Sequence, residues 1–156
     1  MPRLDRLSEV SRNGLLTLPV QINTDAPFTP LAKPLAQSRV AIVTTAGLHR
    51  RDDQPFGPGD PSFRAFPATV TQAELLQSHA SIGFDRTWTQ QDMNVVFPLD
   101  RLRDLAAAGE IGPLAPTCYS FMGAQRDVTR ILNDTAPAVA RLLVADGAEV
   151  VLLTPT

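Results

Sequence analysis

A chain of 156 residues, 44% hydrophobic and 19% charged, has room for one domain with a real core and excludes disorder over its whole length. Its 14 basic and 16 acidic residues give a formal net charge of -2 without long runs of either sign, which excludes a nucleic-acid surface and favours a small or neutral partner. A single cysteine excludes an internal disulfide and a thiolate zinc cluster within the chain, and no apolar run approaches the roughly 20 residues that a membrane-spanning helix needs.

The amino terminus, MPRLDRLSEVSRNG, carries charges where a signal peptide needs an apolar core, so the expected location is cytoplasmic. Leu4, Leu7 and Val10 fall at helical spacing, which predicts a short amphipathic helix over residues 3–12, ended near Asn13-Gly14. Between Leu18 and Pro34 the prolines at 19, 27, 30 and 34 forbid a helix and predict an extended arm. The domain division that follows is a helix and Pro-rich arm over 1–38 and an α/β domain over 39–156.

Arg39 to Val43 is a continuous β-branched run, the pattern of a buried parallel strand, and it exits through Thr44-Thr45-Ala46-Gly47. A long loop is expected over Leu48–Phe66, anchored by Phe56, Phe63 and Phe66, with a second short strand over Phe66–Val70. Thr71-Gln72-Ala73-Glu74 has the form of a capping box and predicts a short helix carrying Leu75 and Leu76. Residues 78–91 show no dominant period. Pro98 then opens a helix with Leu99, Leu102, Leu105 and Ala106 on one face, closed by Gly109. A further strand is expected over Ala115–Phe121, with Met122 to Gln125 as its exit. A helix with Leu132, Ala136, Val139 and Leu143 on one face follows, Pro137 requiring a start at Asp134 or Thr135. The last strand, Glu149–Leu153, ends in Thr154-Pro155-Thr156, the turn where an open α/β sheet places its chemistry. Near-continuous apolar strands separated by helices predict an α/β fold, a mostly parallel sheet with helices on both faces in a Rossmann-like three-layer arrangement.

Several groups invite a chemical reading. His79, Asp85 and Asp92 with the distant His49 supply imidazole and carboxylate donors for a metal, although the spacing fits no metal motif; hydrogen-bonded histidines and loop-capping aspartates are the structural alternative. A metal-dependent hydrolase would follow from the first. Arg50-Arg51 beside Asp52-Asp53 could clamp a carboxylate or form a solvated run of ion pairs. Cys118 is a nucleophile or redox thiol on one reading and a small buried hydrophobe on the other. Neither GxGxxG nor GxxxxGK occurs, so nucleotide binding has no support and no cofactor is expected in this chain.

Val43-Thr44-Thr45-Ala46-Gly47-Leu48-His49, Gly59-Asp60-Pro61-Ser62-Phe63-Arg64, Phe84-Asp85-Arg86, Gln91 to Pro98, Tyr119-Ser120-Phe121-Met122-Gly123 and Leu152-Leu153-Thr154-Pro155-Thr156 together resemble the selenoprotein B family of glycine, sarcosine, betaine and D-proline reductases. The likeness covers most of the chain beyond about residue 30. It implies reductive cleavage of a carbon–nitrogen bond in a small amine or amino acid. It also implies a selenocysteine or cysteine directly after the terminal Thr-x-Thr turn, with a further cysteine two residues on, so that this chain is expected to stop just short of its redox residue and to be inactive alone. A thiol electron donor such as thioredoxin and a partner reductase subunit, in some relatives one with a pyruvoyl group, are implied too. Site-lining candidates on this reading are His49, His79, Asp85, Arg86, Asp92, Cys118, Thr154 and Thr156, with His79 and Asp85 as weak metal candidates. The competing expectation is a non-catalytic binding or assembly subunit. An open strand edge predicts a homo-oligomer.

Overall fold

The computed structural model describes residues 3–17, 24, 29–81 and 83–155. Contacts divide the chain into two units, Met1–Pro30 and Leu31–Thr156. Most of the expected Pro-rich arm lies outside the described residues.

In the first unit the helix predicted over 3–12 is replaced by a single turn at Leu4–Arg6 and a helix α1 at Glu9–Leu16. Ser8 breaks the run because its backbone is extended, and its hydroxyl then accepts the Ser11 N–H at 3.2 Å as the cap of α1. Asn13-Gly14 does not stop the helix. The stop comes at Thr17, whose N–H and hydroxyl both reach the Asn13 carbonyl. A glycine inside a helix costs about 1 kcal/mol without ending it.

The second unit holds a mixed four-stranded sheet in the order β3-β5-β1-β6 and a separate two-stranded ribbon of β2 and β4. The strands are β1 Val40–Thr44, β2 Leu48–Arg50, β3 Phe63–Pro67, β4 Leu75–Gln77, β5 Thr117–Phe121 and β6 Val150–Thr154. β1 pairs in parallel with β5 and with β6, while β3 runs antiparallel along β5. The sheet is therefore α/β as expected, but its edge strand is reversed and sits at 63–67, ahead of the expected 66–70. Phe63-Arg64-Ala65-Phe66-Pro67 alternates inward and outward, an edge-strand pattern, and Pro67 is tolerated there because an edge position has no ladder bond to lose.

The expected helix after Thr71 is one tight turn, Gln72–Glu74. Glu74 does accept the Thr71 N–H and hydroxyl at 2.8 Å each, as the capping box predicts. Leu75 and Leu76, however, enter β4, because pairing with His49 and Arg50 in β2 supplies backbone partners that a short isolated helix would lack.

Three further helices follow, α2 Thr87–Gln91, α3 Leu99–Ala107 and α4 Ala136–Ala145. Alternate residues of β1 serve two cores. Val40 and Ile42 pack with Phe66, Phe97, Cys118 and the α3 residues Leu99 and Leu102. Val43 packs with Tyr119, Phe121 and the α4 residues Val139 and Leu143. Burying each such side chain contributes about 1.5–3 kcal/mol, so the central strand ties both layers together. Pro137 is accommodated because the turn before α4, Ile131–Thr135, widens into π geometry, leaving the proline ring clear of the carbonyl four residues back.

Gly112 lies where the chain returns toward β5, with its N–H on the Leu35 carbonyl at 2.9 Å. A Cβ at this position would collide with the Ser38 carbonyl and come within 2.8 Å of the Ser38 nitrogen. Both partners are backbone atoms of a buried residue that cannot swing aside. We expect Gly112→Ala to cost about 2 kcal/mol in urea unfolding. A loss below about 0.5 kcal/mol would show instead that the Ser38 segment yields.

Candidate active site

The three parallel strands deliver their carboxyl ends to one edge of the sheet, and buried hydroxyls manage the exit there. Thr44 and Ser120 are fully buried in otherwise apolar strands. The Thr44 hydroxyl donates to the Val96 carbonyl at 3.0 Å and accepts the Ala46 N–H at 3.1 Å. The Ser120 hydroxyl accepts the Leu48 N–H at 2.8 Å, and the Gly47 N–H reaches the Phe121 carbonyl at 2.9 Å. Gly47 has φ +66°, and a side chain there would press on the His79 backbone at 3.2 Å. The β1 exit is thus held against both the β5 exit and the 78–81 segment.

Beside these exits lies a cleft of about 690 Å³, lined among others by Gly59, Ser81, Met122, Gln125, Arg126 and Asp127. Ala124, also in its wall, holds a left-handed backbone at φ +55°, an uncommon state for a residue with a Cβ and one that clusters at functional sites. Gln125 fixes the floor, its amide donating to the carbonyls of Asp60 at 2.9 Å and Met122 at 3.0 Å.

The opposite wall, Pro58-Gly59, is the tip of the loop 51–62, and Arg64 anchors it. Arg64 as a residue is only 9% exposed. It donates to the Gln54 carbonyl at 2.9 Å and the Ser62 hydroxyl at 2.7 Å, pairs with Asp60 at 3.5 Å and Asp53 at 3.7 Å, and stacks over Phe56 at 4.3 Å. The three expected aromatic anchors are all engaged, Phe66 against Phe97 and Phe63 against Tyr119 and Phe121. Burial pushes the Asp60 carboxyl up, but the Ser62 hydroxyl and N–H and the Arg64 charge outweigh it and hold the group below its ordinary 3.8.

The structure separates the residues singled out in the sequence. His49 is buried in β2, its Nδ1 donating to the Arg50 carbonyl at 2.8 Å and its Nε2 lying 2.8 Å from the Ser78 hydroxyl. His79 is buried with its ring against Phe84 and its Nδ1 accepting the Ser81 N–H at 3.3 Å. Arg86 donates to the His79 carbonyl. Asp85 accepts the Thr87 N–H and Asp92 the Asn94 N–H, each at 2.9 Å, so both serve as local turn caps; these bonds lower both carboxyls. Among the described residues no three His, Cys, Asp or Glu side chains converge as metal ligands.

Arg50 pairs with Asp52 at 3.0 Å while Arg51 turns away to the Ala73 carbonyl, so the adjacent arginines form no joint clamp. Cys118 is 1% exposed, and burial pushes its thiol to about 12, the opposite of an activated nucleophile. Thr154 pairs with Thr44 across β1 and β6, and its half-buried side chain has a hydroxyl with no hydrogen-bond partner among the described residues. Thr156 lies outside the described residues. Sequence reasoning passed over Ser120, Arg64 and Arg126. A hydroxyl inside the apolar strand TCYSF and an arginine inside FRAFP were the available signals for the first two.

Fold and cleft define an α/β protein with a candidate site at the carboxyl edge of its sheet. The chain belongs to the family described as glycine/sarcosine/betaine reductase selenoprotein B, whose model matches residues 14–156. The resemblance read in the sequence is thereby borne out. The chain is 38% identical over 136 residues to the D-proline reductase subunit gamma of Acetoanaerobium sticklandii, covering 86% of this chain and 55% of that protein. It is 30% identical over 142 residues to the sarcosine reductase complex component B subunit beta of Peptoclostridium acidaminophilum, covering 88% and 32%. It is 27% identical over 148 residues to the glycine reductase complex component B subunit gamma of Carboxydothermus hydrogenoformans, covering 92% and 34%. The chain therefore spans about half the length of the first relative and about a third of the other two. No solved structure matches it significantly. Among the described residues no helix is long and apolar enough to cross a membrane.

The depressed Asp60 carboxyl gives a pH prediction. Its contribution to stability is complete above the unfolded value of 3.8 and is lost as pH falls through the lower folded value. We expect Asp60→Asn to lower stability at neutral pH and to flatten the acid loss below about pH 4 in urea melts. An unchanged acid slope in the variant would remove Asp60 from the anchoring of the cleft wall.

Proposed function

We propose that this chain is part of a B-type reductase subunit that takes a small amine or amino acid of the glycine, sarcosine, betaine or D-proline class and contributes to reductive cleavage of its carbon–nitrogen bond. Family membership supports the reaction class. The observation that carries the assignment to a place is the cleft at the carboxyl ends of β1 and β5, which is where Rossmann-like sheets bind their ligands.

The cleft presents charges of both signs from neighbouring positions. Arg126 has no carboxylate partner among the described residues, and Asp127 accepts the Thr129 N–H at 2.9 Å, which with the Thr129 hydroxyl keeps its carboxyl low and ionised at neutral pH. An amino acid or betaine carries a carboxylate and a cationic nitrogen on adjacent atoms. Arg126 takes the first and Asp127 faces the second, with Ser81 and Gln125 available to the remaining polar edges. Cleavage consumes two electrons and two protons, both delivered by a dithiol donor such as thioredoxin that leaves as a disulfide. A selenol or thiol following the Thr154-Pro155-Thr156 turn supplies the nucleophile that relays them, and a partner subunit, with or without a pyruvoyl group, completes the assembly. The β1–β6 ladder, closed by the Thr45 N–H on the Thr154 carbonyl at 3.1 Å, carries Thr154 to the sheet edge. Cytoplasmic location and self-association belong to the same proposal.

The full-length protein, assayed with its partner subunits and a dithiol, should release the amine from one of the four substrates. Arg126→Gln should raise KM by about tenfold, the scale of one charge-assisted hydrogen bond, with a smaller change in kcat. Alkylating the selenol or thiol should abolish turnover. A gene lacking any in-frame selenocysteine or cysteine beside this turn, or a protein that assembles without turning over any of the four, would sink the reading in favour of a binding or assembly subunit.

A further inference from the structure

A second cleft, of about 550 Å³, opens between β4, the turn before it and α2. Its charged lining consists of two arginines, Arg51 and Arg86, with no acidic residue among the lining groups. Among the described residues neither arginine has a carboxylate partner, although six other arginines form ion pairs within 4 Å. Each is instead tethered by a neutral backbone acceptor, Arg51 through Nε on the Ala73 carbonyl at 2.9 Å and Arg86 through one Nη on the His79 carbonyl. The tethers orient the guanidinium groups and leave donors unused on both.

An independent observation comes from Thr89 in the same wall. It is 5% exposed, and its hydroxyl is buried without a hydrogen-bond partner among the described residues. A buried hydroxyl left unmade costs roughly 1–3 kcal/mol, and this one belongs to a lining residue of the cleft that holds the two arginines. Gln90 adds an amide to the same surface.

We propose that this cleft binds a small monocarboxylate, held by the Arg51 and Arg86 guanidinium groups with the Thr89 hydroxyl as third donor. The ligand class differs from that of the first cleft. A lining with two positive charges and no negative one favours a simple carboxylate over a zwitterion, whose ammonium would meet the arginines. No described residue lines both clefts, but they are close in sequence, with 80, 81 and 83 lining the first and Gln77 and Arg86 the second. Arg86 also donates to the His79 carbonyl, next to the segment that lines the first cleft. The proposal stands independently of the chemistry assigned to the first cleft.

The test is an NMR titration of the isotope-labelled full-length protein with sodium acetate, its neutral isostere acetamide, and inorganic phosphate. Acetate should produce saturable shifts of the Gln77, Thr89 and Gln90 amides, and acetamide none. Arg51→Gln should weaken acetate binding by about tenfold or more, and Thr89→Val should weaken it less while leaving the spectrum folded. Arg126→Gln should leave these acetate shifts intact, which separates a failure here from a failure at the first cleft. Absence of saturation by acetate, equal shifts with acetamide, tighter binding of phosphate, or an affinity untouched by Arg51→Gln would each overturn the proposal.

Discussion

The structure depends on how the backbone of β1 leaves the sheet. A central parallel strand is surrounded by apolar groups, and any N–H or C=O that departs from the ladder there must find a partner out of reach of water. Thr44 and Ser120 provide those partners. Their hydroxyls, fully buried, capture the N–H groups of Ala46 and Leu48, and Thr44 donates onward to Val96. With these bonds in place the chain can turn at Gly47, pass close under His79 and run back as β2. Without them the strand exit would be left with unpaired groups in a dry interior, and the ribbon of β2 and β4 would have nothing fixed to start from. The cleft inherits its shape from that arrangement, since its walls are the segments that these exits release.

A second constraint acts from the other side. The loop 51–62 contains no regular element, yet its tip forms a cleft wall. One buried guanidinium organises it. Arg64 satisfies carbonyl, hydroxyl, carboxylate and aromatic partners together, so the charge is paired and the loop is stapled to the edge strand that bears the arginine. Because β3 is antiparallel to β5, Arg64 lies beside Ser120, and loop anchor and strand exit share one register.

Much of the architecture was legible in the residues. The β-branched run at 40–43, the proline-opened helix at 99, the glycine stop at 109 and the final strand follow from local pattern, because in each case burial agrees with propensity. What escaped was set by distant pairing. Leu75 and Leu76 form a strand only because Arg50 and His49 lie opposite, and β3 is reversed only because β5 offers an edge; neither is visible in a window of a dozen residues. The site followed the same division. Strand-end turns marked the first cleft, whereas the second brings Arg51 and Arg86, 35 positions apart, into one lining and has no local signature.

Cys118 acquires a different meaning in this setting. Buried between β5 and the α3 layer, with its thiol pushed to about 12, it presents almost no thiolate to a passing disulfide. A buried thiol of this kind is shielded from thiol–disulfide exchange. In circuit terms the sulfur at 118 is an insulated core rather than a terminal, and its part in the molecule is that of a small apolar side chain joining β5 to the α3 layer.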